Sequence, residues 1–459
     1  MRTIYNRAKV ILILCLVVVV GLTAVMTTFV LHGNEYVMKP QNQHLYSGGA
    51  LTCGGTIVDR NEKVLVSSNE SGRYYNDSSS IRKSTLHVIG DQYGYIKGIE
   101  ARYSSELVGY NLPLGIFNAQ KSEGNTLKLT IDADLCSYAL DCLGGQKGAI
   151  GVYNYRTGEI ICNVSSPTYD LLNKPSGMDE NENYSGVYLN KLLYGQYVPG
   201  SVYKVVTACC AIENIPDIMD RTFSCTGSWK VPGGGEVICN DNHGTLTFEQ
   251  AFNQSCNVAF GQIAIELGAD KLTKTVKELG LISSIQTDRT STAVGKFNLK
   301  DASDEDIAWA GFGQYTVVAN PCSIMVMMGA IANNGIAIQP YSVSSIDGIF
   351  NSYEASTSVL GSYMSNETAT KLQQILRSTV TDYYGEGNFY GLEISAKSGT
   401  AEISDEIASH SWFAGYSSLP DFPYAFVVIV ENGGSGYYNA GSIASYVMQR
   451  AYYLLNNNG

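Results

Sequence analysis

The longest hydrophobic stretch of the chain lies near its N-terminus, at residues 10–31, and it holds no charged residue. A helix of this length spans the hydrocarbon core of a bilayer. Arg2, Arg7 and Lys9 precede the stretch and no basic cluster follows it. The positive-inside rule therefore predicts a single-pass membrane protein with a cytoplasmic tail at residues 1–9 and the remaining chain outside. A cleaved signal peptide is disfavoured, because the stretch exceeds a signal core and no Ala-x-Ala site follows it.

The next segment, residues 32–140, is polar and rich in Gly, Ser, Asn and Tyr. Its composition predicts a small irregular module next to the membrane. Near the end of this segment, residues 127–132 alternate between apolar and polar as a strand does. Residues 133–143 follow as a short predicted helix.

From residue 145 to residue 459 the hydrophobic pattern is that of a full domain. Two apolar runs joined by a short Arg-Thr-Gly link predict a β-hairpin, and a mostly helical block, three strands and a closing helix follow. The predicted elements are the hairpin runs 149–155 and 159–164, the helical block 186–335 with clear helices at 248–267 and 324–332, strands at 392–403, 412–417 and 424–431, and a helix at 442–455. This order predicts an α+β fold, in which an antiparallel sheet is covered by helices and carries an inserted helical subdomain.

Charge and cysteine content narrow the function classes. The net charge is −12 and no basic block is present, which argues against nucleic-acid binding. All of the eleven cysteines except Cys15 lie in the part predicted to be outside, where disulfides are permitted. Cys225 and Cys239 flank a glycine-rich turn and are predicted to pair across a hairpin. No Cys/His set has zinc-finger spacing and the five histidines are scattered, so no metal site is predicted.

Ser201-Val202-Tyr203-Lys204 is the first candidate for chemistry, at the start of a predicted helix and directly after Pro199-Gly200. Three residues are about one helical turn, so the hydroxyl and the amine project from one face. A lysine can activate a serine if a closed pocket lowers its pKa from about 10.4 towards 7, which corresponds to about 4 kcal/mol. Ser80 and Lys83 form the same pattern in a predicted polar loop, so the motif alone is weak.

Two more motifs follow in the chain. Ser255-Cys256-Asn257 combines a hydroxyl that can relay a proton with a carboxamide that can bind a peptide backbone, although Ser67-Ser68-Asn69 has the same pattern. Lys397-Ser398-Gly399-Thr400 lies on a predicted strand. Its lysine adds positive charge, its hydroxyls suit a carboxylate, and its glycine allows a substrate backbone to approach. Taken alone, the last motif also fits a solvated strand residue before a bulge.

The three motifs together, in this order, resemble the class B penicillin-binding proteins, which are membrane-anchored peptidoglycan D,D-transpeptidases. Further segments are similar to landmarks of that family, and they cover nearly the whole chain: 55–61, 87–90, 98–100, 157–160, 165–170, 310–314, 332–335 and 412–416. Departures from the family pattern are Gly54, Glu62 and Tyr203. The short module at residues 32–140 suggests a compact form, with residues 145–459 as the transpeptidase domain.

The resemblance implies an acyl-transfer mechanism. Ser201 attacks the D-Ala-D-Ala amide of a stem peptide and releases D-Ala, with Lys204 as the general base. Ser255 passes the proton to the leaving amine, and Asn257 holds the acyl peptide. The backbone N–H groups of Ser201 and Thr400 form the oxyanion hole.

The resemblance also implies how the substrate is bound and which partners the protein has. Lys397, Ser398 and Thr400 recognise the terminal carboxylate, and Gly399 lets the strand approach the peptide. β-Lactams acylate the same serine, no cofactor is needed, and a SEDS-type membrane glycosyltransferase is the expected partner.

Two alternatives stay open. A D,D-carboxypeptidase or β-lactamase uses the same three motifs. A class A β-lactamase also needs a carboxylate that activates water, usually in a Glu-x-x-Leu-Asn segment, and no such segment lies between Ser201 and Lys397. A non-catalytic β-lactam sensor or scaffold is the other alternative. A sensor would carry more membrane spans or a cytoplasmic output domain.

Overall fold

The computed structural model describes residues 2–37, 46–47, 50–51, 54–69, 72–108, 124–348, 352–403 and 407–457. Its helices are α1 (Arg2–Val37), α2 (Ser79–Ile89), α3 (Ile99–Arg102), α4 (Ser104–Val108), α5 (Ala133–Leu143), α6 (Lys191–Tyr194), α7 (Lys204–Asn214), α8 (Phe248–Asn253), α9 (Asn257–Glu278), α10 (Asp304–Gly311), α11 (Pro321–Ala332), α12 (Asn366–Ser378) and α13 (Ser442–Asn457).

The strands in the same ranges are β1 (Tyr46–Ser47), β2 (Ala50–Leu51), β3 (Thr56–Val58), β4 (Val64–Asn69), β5 (Gly72–Tyr75), β6 (Thr126–Leu129), β7 (Gly148–Asn154), β8 (Ile160–Ser166), β9 (Thr222–Cys225), β10 (Ser228–Lys230), β11 (Glu236–Ile238), β12 (Gly244–Thr247), β13 (Gln286–Thr287), β14 (Thr290–Ser291), β15 (Ile336–Ile338), β16 (Val343–Asp347), β17 (Tyr353–Glu354), β18 (Val359–Ser362), β19 (Ile394–Ala401), β20 (His410–Ser417) and β21 (Tyr424–Val430).

The central sheet joins the two ends of the main domain. Within the described residues it has five strands in the order β19-β20-β21-β7-β8, all antiparallel. Every residue of β7, β8 and β21 is buried, because helices cover both faces of the sheet. Alternate residues of β7 accordingly belong to two hydrophobic cores: Ala149 packs in the core that contains α11, and Ile150 packs in the core that contains α5 and α13. The predicted α+β fold is confirmed.

The inserted helical subdomain differs from the prediction at the Ser255 segment, which lies between two helices and not within one. The sequence predicts one helix over 248–267, but α8 ends at Asn253 and α9 begins at Asn257. Ser255, between them, has a left-handed backbone with φ 57°. A non-glycine residue in this region costs about 1–2 kcal/mol, so packing and hydrogen bonds elsewhere hold the break in place.

The membrane-proximal module is more regular than its composition predicts. Within the described residues, a second sheet has six strands in the order β17-β16-β6-β3-β4-β5. Strand β16, from far along the chain, pairs with β6 and so completes this sheet. A local pattern cannot show such long-range pairing, which is why the module was predicted to be irregular. The division of the chain at residues 140–145 stays a prediction.

Helix α1 contains the predicted membrane span. Among the described residues, one helix, over residues 4–29, is long and apolar enough to cross a membrane. Its side chains are exposed over that whole range, so it is not a core helix of the domain.

Candidate active site

Two glycines bring the Ser201 segment against strand β19. Residues Gly200–Tyr203 form a 3-10 turn that leads into α7. Gly200 has φ 56°, and a Cβ there would lie 2.6 Å from the carbonyl oxygen of Thr400. A Cβ on Gly399 would lie 2.6 Å from the carbonyl oxygen of Pro199. Close approach of the two backbones therefore requires glycine at both positions.

Lys204 lies under this turn with its side chain completely buried. Its Nζ is 3.0 Å from Ser201 Oγ and 3.1 Å from Ser255 Oγ. It also lies 2.5 Å from the carbonyl oxygen of Ser255 and 2.7 Å from Oδ1 of Asn257. These last two atoms can only accept hydrogen bonds, so they take both N–H groups of a neutral amine. The lone pair is then left to face the hydroxyls.

The protonation of Lys204 suits this geometry. Burial lowers the pKa of Lys204 to about 7, because a charged amine is unfavourable away from water. The amine is thus neutral in a large fraction of molecules near neutral pH. The sequence-based requirement for a lysine with a lowered pKa is met by burial.

Ser255 connects two lysines. Its Oγ lies 3.1 Å from Lys204 Nζ and 3.1 Å from Lys397 Nζ. Lys397 is also fully buried, and burial, together with the charge of Lys204, lowers its pKa. The left-handed conformation of Ser255 is what places its hydroxyl between the two amines. A hydroxyl in this position can accept a proton from one neighbour while donating its own to another.

Asn257 is held at both ends of its carboxamide. Oδ1 accepts from Lys204, and Nδ2 donates to the carbonyl oxygen of Ile238 at 3.1 Å. Asn257 is the first residue of α9, so its backbone position depends on where that helix begins. The orientation of this side chain therefore depends on strand β11, which contributes Ile238.

Strand β19 presents two hydroxyls to the cleft, and a residue that the motifs did not reveal orients one of them. Burial raises the pKa of Tyr384 to about 12, so its phenol stays protonated. The phenol oxygen accepts from the backbone N–H of Ser398 at 2.9 Å and lies 2.7 Å from Ser398 Oγ. Either hydroxyl can donate in this pair, and when the phenol donates, Ser398 Oγ accepts. The hydrogen of the Ser398 hydroxyl is then free to point towards a ligand.

The Thr400 hydroxyl is also oriented by a hydrogen bond that it accepts. Its Oγ1 accepts from the backbone N–H of Gly436 at 3.1 Å. Its own hydrogen is available for donation into the cleft. Ser398 and Thr400 are therefore a pair of donors on one face of β19, an arrangement that suits an anionic group such as a carboxylate.

The cleft itself has a volume of about 720 Å³ and is open to solvent. Aromatic and polar side chains line it, with carboxylates at Asp241 and Glu402. The lining residues are Ser201, Ile238, Asn240, Asp241, His243, Gln254, Ser255, Asn257, Trp309, Phe312, Gln314, Tyr383, Tyr384, Ser398, Thr400, Glu402, Ser435, Tyr437 and Tyr438. Lys204 and Lys397 are buried beneath this surface.

The second copies of the motifs lie elsewhere. Ser80 is on helix α2, not in the predicted loop, and its Oγ lies 2.9 Å from Ser137 Oγ. Lys83 is exposed. Ser67 is on strand β4 of the second sheet. The structure therefore brings together the three motifs on which the resemblance rests and leaves their duplicates apart.

The predicted disulfide is not formed. Cys225 and Cys239 are free thiols. Each Sγ instead lies 3.5 Å from Nδ1 of His243, and Cys239 Sγ is 3.9 Å from Cys256 Sγ. The prediction of no metal site rested on linear spacing, which does not reveal a cluster of this kind. The short Cys239-x-x-x-His243 spacing was the available signal.

Comparison with known proteins gives consistent results. The family model for the penicillin-binding protein transpeptidase domain matches residues 148–451. The chain is 27% identical over 348 residues to the peptidoglycan D,D-transpeptidase PbpA of Mycobacterium tuberculosis. This alignment covers 69% of this chain and 69% of that protein. It is 25% identical over 371 residues to the peptidoglycan D,D-transpeptidase MrdA of Haemophilus influenzae, covering 72% of this chain and 56% of that protein.

A solved structure is also similar. The D,D-transpeptidase domain of a peptidoglycan glycosyltransferase from Eggerthella lenta has a TM-score of 0.75 to this chain at 27% identity. The match covers 87% of this chain and 98% of that one.

Proposed function

This chain belongs to the penicillin-binding protein transpeptidase family, and on that premise we propose that it is a serine peptidoglycan D,D-transpeptidase. The resemblance drawn from its motifs is thereby confirmed. The observation that carries the mechanism is the fully buried Lys204 amine, 3.0 Å from Ser201 Oγ, with two acceptors for its N–H groups. This arrangement makes Ser201 a nucleophile and Lys204 its base.

Acylation begins when Ser201 Oγ attacks the carbonyl carbon of the penultimate D-Ala of a stem peptide. The hydroxyl proton moves to Lys204. The C–N bond then breaks, and the leaving amine of D-Ala receives a proton from the Ser255 hydroxyl, which takes one from Lys204 in turn. The products are free D-Ala and an ester of the peptide on Ser201.

Charge that develops on the carbonyl oxygen is stabilised by backbone donors. The N–H groups of Ser201 and Thr400 are the candidates, because Gly200 and Gly399 allow the turn and the strand to approach closely. Preorganised donors of this kind are commonly the largest catalytic contribution.

The terminal carboxylate of the peptide is bound by hydroxyls more than by a direct ion pair. Ser398 and Thr400 donate into the cleft, whereas Lys397 Nζ is buried against Ser255 Oγ and the carbonyl oxygen of Ser398. Lys397 therefore acts by placing the Ser255 hydroxyl. Asn257, between Lys204 and Ile238, faces the acyl peptide.

The acyl-enzyme is resolved by an amine from a second peptide strand, which forms the cross-link and frees Ser201. β-Lactams acylate the same serine. Within the hydrolytic alternative, a class A β-lactamase requires a carboxylate that activates water, and Asp241 and Glu402 line the cleft. If the protein is a transpeptidase, Asp241→Asn and Glu402→Gln should leave the rate of acyl transfer to an amine unchanged.

The membrane arrangement is proposed from α1 and the charges before it. The tail at residues 1–9 is cytoplasmic and the catalytic domain is extracytoplasmic, where peptidoglycan is assembled. A SEDS-type glycosyltransferase is the proposed membrane partner. Fusion of alkaline phosphatase to the C-terminus tests the orientation, because this reporter is active outside the cytoplasm and inactive inside.

The activity is tested with a synthetic stem peptide that ends in D-Ala-D-Ala and a D-amino acid as acceptor. Released D-Ala and the exchanged peptide are quantified together. We expect the wild-type protein to form the exchanged peptide and Lys204→Ala to form none. Ser80→Ala is the control, and it should form as much exchanged peptide as the wild-type protein. Hydrolysed peptide without exchange product would identify a carboxypeptidase, and neither product would exclude the proposed activity.

A further inference from the structure

Three polar side chains meet at the segment that leads into Ser201, and the proposed mechanism gives them no role. They are Lys191, Tyr197 and Glu431, called here the Lys-Tyr-Glu anchor. The phenol of Tyr197 donates to Oε1 of Glu431 at 2.9 Å, and the amine of Lys191 pairs with the same oxygen. Lys191 and Tyr197 are buried, and the side chain of Glu431 is 21% exposed.

The members of the Lys-Tyr-Glu anchor come from separate parts of the fold. Lys191 begins α6, Tyr197 lies four residues before Ser201, and Glu431 directly follows β21. The backbone N–H of Glu431 donates at 2.8 Å to the carbonyl oxygen of Lys147, which directly precedes β7. The carboxylate is therefore fixed by the central sheet, whereas the phenol belongs to the segment that carries the nucleophile.

Backbone hydrogen bonds hold this segment to the inserted helical subdomain. Tyr197 and Ala319 exchange a pair of bonds, with N–O distances of 3.0 and 2.8 Å. The N–H of Gly200 donates to the carbonyl oxygen of Gly313 at 3.0 Å. Ala319 and Gly313 both lie between α10 and α11, so these bonds join the segment to the helices and not to the sheet.

Side chains join the same segment to the central sheet. Besides the Tyr197–Glu431 hydrogen bond, Nε1 of Trp412 on β20 donates to the carbonyl oxygen of Val198 at 3.0 Å. The Tyr197 ring also meets the rings of His410 and Trp412 edge-on, with centroid distances of 5.5 and 6.1 Å. Because β20 pairs with β19, these contacts determine how far the segment lies from β19.

That separation matters for the proposed oxyanion hole. One of its donors, the N–H of Ser201, belongs to the turn, and the other, the N–H of Thr400, belongs to β19. Donors stabilise a developing charge only if they are held in place before the reaction. A tie between the turn and the sheet therefore keeps the two donors at a fixed separation.

The protonation of the Lys-Tyr-Glu anchor suits this role. Burial, together with the negative charge of Glu431, raises the pKa of Tyr197, so the phenol keeps its hydrogen and donates it to the carboxylate. A hydrogen bond to a charged acceptor is stronger than one between neutral groups. The amine of Lys191 balances the charge of the carboxylate, which makes its burial tolerable.

We propose that Tyr197 is a positioning residue for acyl transfer, whose hydrogen bond to Glu431 holds the Ser201 turn against strand β19. The inference rests on the proposed function and adds to it a residue that does not touch the substrate. The hydroxyls of Ser398 and Thr400, which bind the carboxylate, lie on β19 itself. Loss of the Tyr197 bond should therefore slow the chemical step and leave ligand binding unchanged.

Tyr197→Phe tests this, because it removes the hydroxyl and keeps both the ring and the ion pair. Stopped-flow kinetics with a chromogenic β-lactam separate the non-covalent dissociation constant from the acylation rate constant. We expect the rate constant to fall by about tenfold and the dissociation constant to stay within about twofold, since a displacement of about 1 Å can cost about 100-fold in rate. The melting temperature is measured alongside, and a role in stability alone would lower it without slowing acylation.

Tyr155→Phe is the matched control. The buried phenol of Tyr155 donates to the carbonyl oxygen of Ser417 at 3.2 Å, at the opposite end of β20 from His410. Its removal deletes a comparable hydroxyl from the same sheet. We expect Tyr155→Phe to leave both constants unchanged.

Two substitutions of Glu431 separate the hydrogen bond from the ion pair. The amide of Glu431→Gln can still bond to the Tyr197 phenol, but it leaves Lys191 without a counter-charge. We expect this variant to have a lowered melting temperature and an acylation rate constant close to that of the wild-type protein. Glu431→Ala loses the hydrogen bond and should be acylated as slowly as Tyr197→Phe.

The proposal would be overturned by a wild-type acylation rate constant in Tyr197→Phe, by equal slowing in Tyr155→Phe, or by equal slowing in the two Glu431 variants. A wild-type protein that penicillin does not acylate would refute the proposed function. A wild-type protein that is acylated, with Tyr197→Phe acylated equally fast, would refute this inference alone.

Discussion

The carboxamide oxygen of Asn257 lies 2.7 Å from the amine of Lys204. An amide oxygen is a neutral acceptor, so it takes one N–H of Lys204 without adding a negative charge beside the amine. The pKa of Lys204, lowered by burial to about 7, is thereby preserved. The identity of residue 257 is thus part of what makes Lys204 a base.

Replacement of Asn257 by Asp should impair acylation through Lys204. The carboxylate has the same shape but stabilises the protonated amine, so the pKa of Lys204 rises. We expect the rate of penicillin acylation at neutral pH to fall by about tenfold or more, with the pH profile displaced upwards by about one unit. Asn183→Asp, at an exposed site, is the control for the added charge. An unchanged pH profile in Asn257→Asp would contradict this role.

The wild-type pH profile gives an independent check. The pKa of Lys204 in the folded protein is lowered, so the amine is protonated and unable to accept the Ser201 proton below about pH 7. The acylation rate should therefore rise with pH through this value and fall by about tenfold for each unit below it. Stopped-flow measurement with a chromogenic β-lactam follows this directly. A rate that is independent of pH across neutrality would exclude Lys204 as the base.

Tyr384→Phe should weaken substrate binding more than the chemical step. The variant removes the hydroxyl that accepts from Ser398 N–H and is hydrogen-bonded to Ser398 Oγ, and it leaves the ring in place. We expect KM for a D-Ala-D-Ala peptide to rise by about tenfold, which corresponds to about 1.4 kcal/mol, with kcat changed much less. Tyr390→Phe removes a hydroxyl from an exposed tyrosine outside the cleft lining and serves as the control. Equal loss in both variants would show that Tyr384 does not orient Ser398.

Gly200→Ala should reduce both stability and acylation. The new Cβ meets the Thr400 carbonyl oxygen at 2.6 Å and the residue must keep φ 56°. We expect a loss of about 2–4 kcal/mol in the free energy of unfolding. Gly177→Ala is a matched control, because Gly177 has φ 70° with nothing within 4 Å of its Cβ, and it should cost about 1–2 kcal/mol. Equal losses would mean that contact with strand β19 is not the cause.

Several elements of the fold could be predicted from local patterns. The hairpin β7–β8 and the helix α5 follow directly from periodicity, because each is stabilised by residues close in sequence. The second sheet could not be predicted, since β16 pairs with β6 across nearly half of the chain. The break at Ser255 was also missed, because long-range contacts with Lys204 and Lys397 stabilise a backbone conformation that the sequence alone disfavours.

The candidate active site likewise combines residues that local sequence reveals with residues that only the tertiary structure reveals. Ser201 and Lys204 are one turn apart, so their proximity follows from helix geometry. Tyr384 carries no motif and meets Ser398 only through tertiary packing. The proximity of Cys225, Cys239, His243 and Cys256 was missed for a similar reason, since the ends of β9, β11 and β12 and the start of α9 bring them together from separate turns.

The central claim is that Ser201 is the acylated nucleophile, and intact-protein mass spectrometry with penicillin tests it most directly. The wild-type protein should gain the mass of one penicillin, and a digested sample should place the adduct on Ser201. Ser80→Ala, which removes the serine of the second Ser-x-x-Lys, should form the adduct normally. Ser201→Ala should form none, and an adduct that persists in Ser201→Ala or maps to another residue would contradict the account.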